Sequence, residues 1–226
     1  MTFYISASRL KDYMDCRTFY YWRHVVRQPQ TENTSALIGT AVHTAIDSFY
    51  KYNRNPVAVY RQTIQQKLAQ WQDNELPILY RHTFADMMDY GDRLADFPFN
   101  QFTIGASEIP FTLPYSDTLS IRGIIDRISN HEIYDWKTAK RKPREITTDP
   151  QFTLYIWAYL QIHGELPHGA HWFHMADYTM VSYDMARYQE QLDRLHGYLL
   201  AMEHDTFEDI RETPCSTCKP WCHIYT

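Results

Sequence analysis

The spacing of apolar residues changes partway along this 226-residue chain, and that change constrains the fold more than any other feature. Up to about residue 98, apolar positions recur at helical intervals. Ser6 is placed to cap a helix that carries Leu10, Tyr13 and Met14 and continues past Cys16 to Trp22. Ala36, Ile38, Val42, Ile46 and Phe49 give one apolar face to a helix over 36–50, and further helical stretches cover 56–73 and 77–95. Over residues 102–137 the period falls to about two. Strands are expected over 104–113, 118–128 and 133–137, the last two joined by a turn at 129–132. Pro150 then opens a helix that Gly164 ends. A strand follows over 171–175, and Ser182 caps a long helix to about His204. This order specifies an α/β domain, a central mixed β-sheet flanked by helices. Residues 1–98 form its helical part, and neither linker nor repeat divides the span 1–226.

The four cysteines stand in two places, Cys16 and the closely spaced Cys215, Cys218 and Cys222. The N-terminus lacks the basic and apolar regions of a signal peptide, and no run of about eighteen apolar residues exists to cross a membrane. A cytoplasmic location is therefore expected, where thiols stay reduced. Metal or cluster ligation then outranks disulfide formation, and if the two groups meet, one centre would tie the tail from about 205–226 to the N-terminal helix. The net charge of −5 argues against a protein that coats nucleic acid through bulk electrostatics. It leaves room for an enzyme that touches a few phosphates while bound metal ions supply positive charge. Eighteen tyrosines and six tryptophans serve either core packing or stacking on unpaired bases.

Chemistry concentrates in the strand-rich region. Asp135 and Lys137 lie two apart on one strand and so share a face. Asp126 lies on the preceding strand and Glu108 on the one before. Three carboxylates and a lysine converging at a sheet edge suit Mg²⁺ or Mn²⁺, which favour oxygen donors. The alternative is a pair of surface salt bridges, but Asp126 and Asp135 sit among isoleucines, Tyr134 and Trp136, where an unpartnered charge is costly. Gly39 and His43 are four apart on one helix face. The glycine lets that helix approach the sheet, and His43 either reaches the metal or is a satisfied core residue. Gln151 and Tyr155 repeat the four-residue spacing on the later helix. The basic run Lys140, Arg141, Lys142 and Arg144 is either a phosphate contact or a solvated loop.

In order, these motifs are Ser6-Ala-Ser-Arg-Leu10 with Cys16, Gly39-Thr-Ala-Val-His43, Glu108, Gly123-Ile-Ile-Asp126, Asp135-Trp-Lys137, Gln151-Phe-Thr-Leu-Tyr155 and the final three cysteines. The set resembles the RecB-like branch of the PD-(D/E)XK nucleases. It is most similar to the iron–sulfur members, which include AddB-type nuclease domains and CRISPR-associated single-strand exonucleases. The resemblance implies a restriction-endonuclease-like core and DNA as the partner, in a bacterial or phage-infected cell. It makes His43, Asp126 and Asp135 metal ligands together with the Trp136 carbonyl. Lys137 would position or activate the attacking water, and Gln151 and Tyr155 would support it or contact the scissile region. Glu108 would be a second-metal ligand or a structural acid. Cys16, Cys215, Cys218 and Cys222 would hold a [4Fe–4S] cluster. Two features depart from the pattern. Arg17 stands where proline is usual, and the gap between Cys218 and Cys222 is short, which leaves Zn²⁺ as an alternative. The activity implied is an exonuclease on single strands or ends. The other reading is a DNA-binding scaffold that keeps the fold and cluster but cleaves weakly. No phosphate-binding Gly-x-x-x-x-Gly-Lys-Ser/Thr loop is present, so ATP use is not expected.

Overall fold

A computed structural model describes residues 3–27, 33–69 and 83–210. Its frame is a six-stranded mixed sheet built from β1 (Phe3–Ile5), β2 (Gly105–Pro114), β3 (Leu119–Ser129), β4 (Glu132–Lys137), β5 (Gly169–His174) and β6 (Thr179–Ser182). The longest strand, β3, organises it. One edge of β3 pairs antiparallel with β2 along almost its whole length. The other edge is shared: β1 runs parallel to Leu119–Ile121, and β4 runs antiparallel to Arg127–Ser129. β5 then joins β4 in parallel, and β6 closes the far edge antiparallel. The turn between β3 and β4 is tight because Asn130 and His131 both adopt positive φ, the geometry that matches strand twist.

Helices cover both faces. On one lie α1 (Ala7–Asp15), α6 (Pro150–His163) and α7 (Tyr188–Glu203). Leu10, Phe152, Ile156, Leu195 and Leu199 pack there against Ile121, Ile125 and Ile133. On the other lie α2 (Thr34–Tyr52), α3 (Pro56–Ala69), α4 (Phe84–Arg93) and the one-turn 3₁₀ helix α5 (Phe99–Phe102); Leu37, Ile38, Val42 and Ile46 of α2 meet Trp136 and Phe173. Trp136 is its anchor, with Phe97, Phe102 and Phe173 arranged edge-on at 5.2–5.4 Å. Each such pair adds about 1 kcal/mol beyond area burial. Burying both faces explains why β4 reads Ile-Tyr-Asp-Trp rather than alternating apolar with polar.

Several expectations need correction. The first helix does not run to Trp22. Cys16 is extended (φ −162°, ψ 106°) and ends α1; its sulfur then accepts the Phe19 N–H at 3.5 Å, capping the short helix Arg17–Tyr20. Ser182 caps no helix. It ends β6, its hydroxyl bonds His171 Nδ1 at 3.0 Å, and Asp184 caps the turn that leads into α7. Strands β1 and β6 were not expected. The ends of the stretches expected over 56–73 and 77–95 fall partly outside the described residues, as do Cys215, Cys218 and Cys222. Among the described residues no helix is long and apolar enough to cross a membrane.

Candidate active site

The pairing of β3 with β4 stops at Arg127 and Tyr134, and the strands part there. Asp126 and Asp135 are the next residue on each strand, so the acids flank the opening. A Trp136 N–H that has lost its strand partner would be a buried orphan. Instead it donates to Asp126 Oδ2 at 2.8 Å, which fixes that carboxylate in the fork. Both acids are buried, Asp135 to 1% exposure.

Asp135, on the α6 face, belongs to a four-residue network. Lys137 Nζ lies 2.7 Å from Asp135 Oδ2 and donates to Gln151 Oε1 at 3.0 Å. Gln151 Nε2 donates to Asp135 Oδ1 at 2.9 Å and to the Tyr155 hydroxyl at 2.7 Å. Both amide hydrogens of Gln151 are thereby used, which fixes its orientation. α6 delivers Gln151 because Asp149 caps its first turn, accepting from the Gln151 N–H at 3.0 Å.

α2 brings His43 from the opposite face. Its Nε2 donates to the Trp136 carbonyl at 2.8 Å, while Nδ1 stands 3.3 Å from Asp126 Oδ1 and 3.8 Å from Glu108 Oε1. Glu108 arrives by a backbone irregularity. Its φ of 48° is left-handed, a conformation that costs a side-chain-bearing residue about 1–2 kcal/mol. It falls between the paired positions Ser107↔Arg127 and Ile109↔Ile125. The strand faces shift phase at this point. Ile109, Phe111 and Ile125 pack toward α6, whereas the Ser107 hydroxyl donates to Asp47 of α2 at 2.9 Å and Arg127 lies 3.9 Å over the Tyr50 ring.

Electrostatics follow from this crowding. Burial disfavours charge on His43, but Asp126 and Glu108 outweigh it and raise its pKa well above the usual range. Burial likewise opposes ionised Asp126, and His43 and Lys137 overcome it, leaving its pKa lowered. Asp135 is lifted above the usual carboxylate range, by burial first and then by Asp126, against the pull of Lys137. Lys137 is desolvated as well, yet Asp135 and Asp126 hold it in the charged form.

Ligand atoms of His43, Glu108 and Asp126 all lie within 4.8 Å of one another, close enough to share one metal ion. A histidine nitrogen and two carboxylates are a donor set that suits a divalent metal, so these three residues fit one. Asp135 stands outside that group; its buried Oδ2 is ion-paired with Lys137, and no donor meets it with hydrogen-bond geometry. A cleft of about 520 Å³ opens beside them, lined by Gly39, Thr40, His43, Thr44, Asp47 and Glu108. Gly39 borders this cleft and is not required for packing: an added Cβ would make only an ordinary 3.7 Å contact with Thr138. Asp47 was not anticipated. The signal for it is the His43–Asp47 spacing of four along α2.

The remaining expected residues are placed less uniformly. All four cations of the basic loop are exposed. Lys140 pairs with Asp86 at 2.9 Å, and Lys142 donates to Thr179 at 2.7 Å. No ion pair engages Arg141 or Arg144 among the described residues. Of the four cysteines only Cys16 is described, as a half-buried free thiol.

A mixed α/β sheet that presents paired acids and a lysine where two strands part is an architecture of nucleases. The family model of the PD-(D/E)XK nuclease superfamily matches residues 4–223, and the chain belongs to that superfamily. A solved structure from Eubacterium rectale, described as that of a candidate exonuclease, has the same fold. The two superpose with a TM-score of 0.64 at 14% identity, covering 99% of this chain and 88% of that one. No curated protein matches.

Proposed function

We propose that the chain is a metal-dependent deoxyribonuclease, an exonuclease on single-stranded DNA or DNA ends that serves recombination, repair or phage DNA processing. The observation that carries this reading is the meeting of His43, Glu108 and Asp126 with Asp135, Lys137 and Gln151 where β3 and β4 part. His43, Asp126, Asp135 and the Trp136 carbonyl, with Glu108 beside them, would hold Mg²⁺ or Mn²⁺. The ion, when bound, offsets charge on the phosphate and lowers the pKa of water. Lys137 keeps its proton, since its neighbours favour the ammonium form. In that form it would donate hydrogen bonds that align water and a phosphate oxygen. Gln151 holds Lys137 and Asp135 in register, and Tyr155 braces Gln151. Arg141 and Arg144, exposed on the loop that follows Lys137, suit phosphate contact.

Cys16, Cys215, Cys218 and Cys222 form a [4Fe–4S] or zinc centre in this reading, as the reduced thiols of a cytoplasmic protein allow. Arg17, adjacent to Cys16, pairs with both Asp205 and Asp209. The chain therefore leaves the described structure next to Cys16, and the six residues from Asp209 to Cys215 bridge at most roughly 20 Å.

The test is a time course on end-labelled linear and on circular single strands with Mn²⁺. Linear strands should be degraded and circles spared; rapid loss of circles would replace the exonuclease with an endonuclease. Lys137→Ala and Asp135→Ala should each lower cleavage about 10²–10³-fold. Activity persisting in both variants would remove the site assignment.

A further inference from the structure

The face of the β2–β3 ribbon that carries the site acids continues beyond them without a helix over it. In register next to Glu108 and Asp126 come Pro110 and Ile124, then Thr112 and Arg122. All four are exposed, Ile124 to 48%, although it is a large apolar residue on a central strand. The opposite face of the same stretch carries Phe111, Leu113 and Ile121 into the core. The strip then reaches β1, where Tyr4 lies beside Ser120 with its ring under the Arg122 guanidinium, 3.3 Å from Cζ to the ring centre. Arg9 of α1 donates to the Tyr4 carbonyl at 2.9 Å. In a chain of net charge −5, no carboxylate among the described residues pairs with Arg9 or Arg122. The lysines of the basic loop, in contrast, have partners. Alternating exposed apolar and aromatic surface with un-neutralised arginines is the chemistry that receives an unpaired polynucleotide: bases lie on the flat groups and phosphates meet the cations.

We propose that this strip, from Ile124 through Arg122 and Tyr4 to Arg9, is the track along which a single strand runs into the site. The proposal rests on the nuclease reading for its direction of travel, and on the strip itself for the ligand. Arg122 stands four residues from Asp126, roughly 13 Å along the strand. The track therefore grips the polynucleotide away from the bond that is cut.

Ile124 supplies the decisive test because it is exposed and belongs to neither core. Binding of a fluorescent oligonucleotide is measured by anisotropy in the full chain carrying Lys137→Ala, to suppress cleavage. Ile124→Glu should weaken binding about tenfold and Ile124→Lys should tighten it, with both variants melting like the parent. Arg122→Ala should weaken binding and lower the salt slope by about 1. Its melting temperature is recorded, because the Arg122–Tyr4 stack also fastens β1. Equal affinities for the Glu and Lys variants would overturn the track, whatever the cleavage assays give. Tighter binding of a duplex than of the strand would overturn the single-strand assignment. The nuclease reading fails separately, if the wild-type chain binds with this charge dependence but cleaves nothing.

Discussion

Glu108 carries a backbone cost at a position beside the candidate site. A left-handed backbone in the middle of a strand favours glycine or asparagine, not glutamate. Retaining a carboxylate there makes sense when its charge is used, and it stands within reach of His43 and Asp126. Glu108→Asn keeps a side chain that tolerates the conformation and removes the charge. The expected outcome is a melting temperature equal to or above that of the wild type, together with slower cleavage and a higher Mg²⁺ requirement. A fall in melting temperature with unaltered activity would show that Glu108 is structural. At this scale the sequence displayed residue types but not their aim. Asp126 and Asp135 drew notice because a charge in an apolar strand is costly unless partnered, and Lys137 because it shares a face with Asp135. The four-residue spacings of His43 and Gln151 were weak signals alone, since any packed helix face shows them. The positive φ of Glu108 was hidden, because no turn residue marks it. Asp47 was overlooked as an ordinary polar residue on a helix.

The elements differ in how plainly the chain announces them. β2 to β4 were readable because alternation, a tight turn and β-branched residues agree. β1 and β6 escaped notice because three and four residues are too few to show a period. The break at Cys16 was masked by helix-compatible residues on both sides, and Ser182 resembled a cap because its real partner, His171, lies on another strand. For α6 the start signal and the candidate site coincide. Asp149 caps the helix through the N–H of Gln151, the residue whose side chain holds Lys137 and Asp135. It also pairs with Lys11 of α1 at 2.8 Å. Removing the cap with Asp149→Ala should cost about 1 kcal/mol, a drop of about 2–4 °C in melting temperature for a chain of this size. It should also slow cleavage by loosening the first turn. Asp149→Ser restores an oxygen acceptor and should recover most of the stability; a stable, fully active alanine variant would separate the cap from the site.

For the molecule as a whole, the question is what holds the N-terminal helices to the segment that follows α7. Asp205, just past α7, accepts from Tyr13 at 2.8 Å and from the Phe207 N–H at 2.8 Å, and it pairs with Arg17. Its side chain is almost fully buried. Arg17 and these donors lower its pKa below the unfolded value near 3.9. A depressed folded pKa contributes stability that is complete above that unfolded value and is lost as pH falls through the folded one. Asp205→Asn should therefore melt lower than the wild type at neutral pH, and the difference should shrink as pH falls below about 4. A gap that persists at low pH would place the effect in packing instead. The proposed cysteine centre would act on the same junction. A link from Cys16 to Cys215 closes a loop of about 200 residues, which by chain entropy is worth about 5 kcal/mol. Cys16→Ser tests that link cleanly, because serine is itself a good helix cap and spares the start of the Arg17–Tyr20 turn. The variant should lose bound metal, about four irons for a cluster or one zinc otherwise. It should melt about 10 °C or more lower while still cleaving DNA at low temperature, since the proposed cutting residues stand on other elements. An unchanged melting temperature with lost cleavage would instead place the centre in the chemistry.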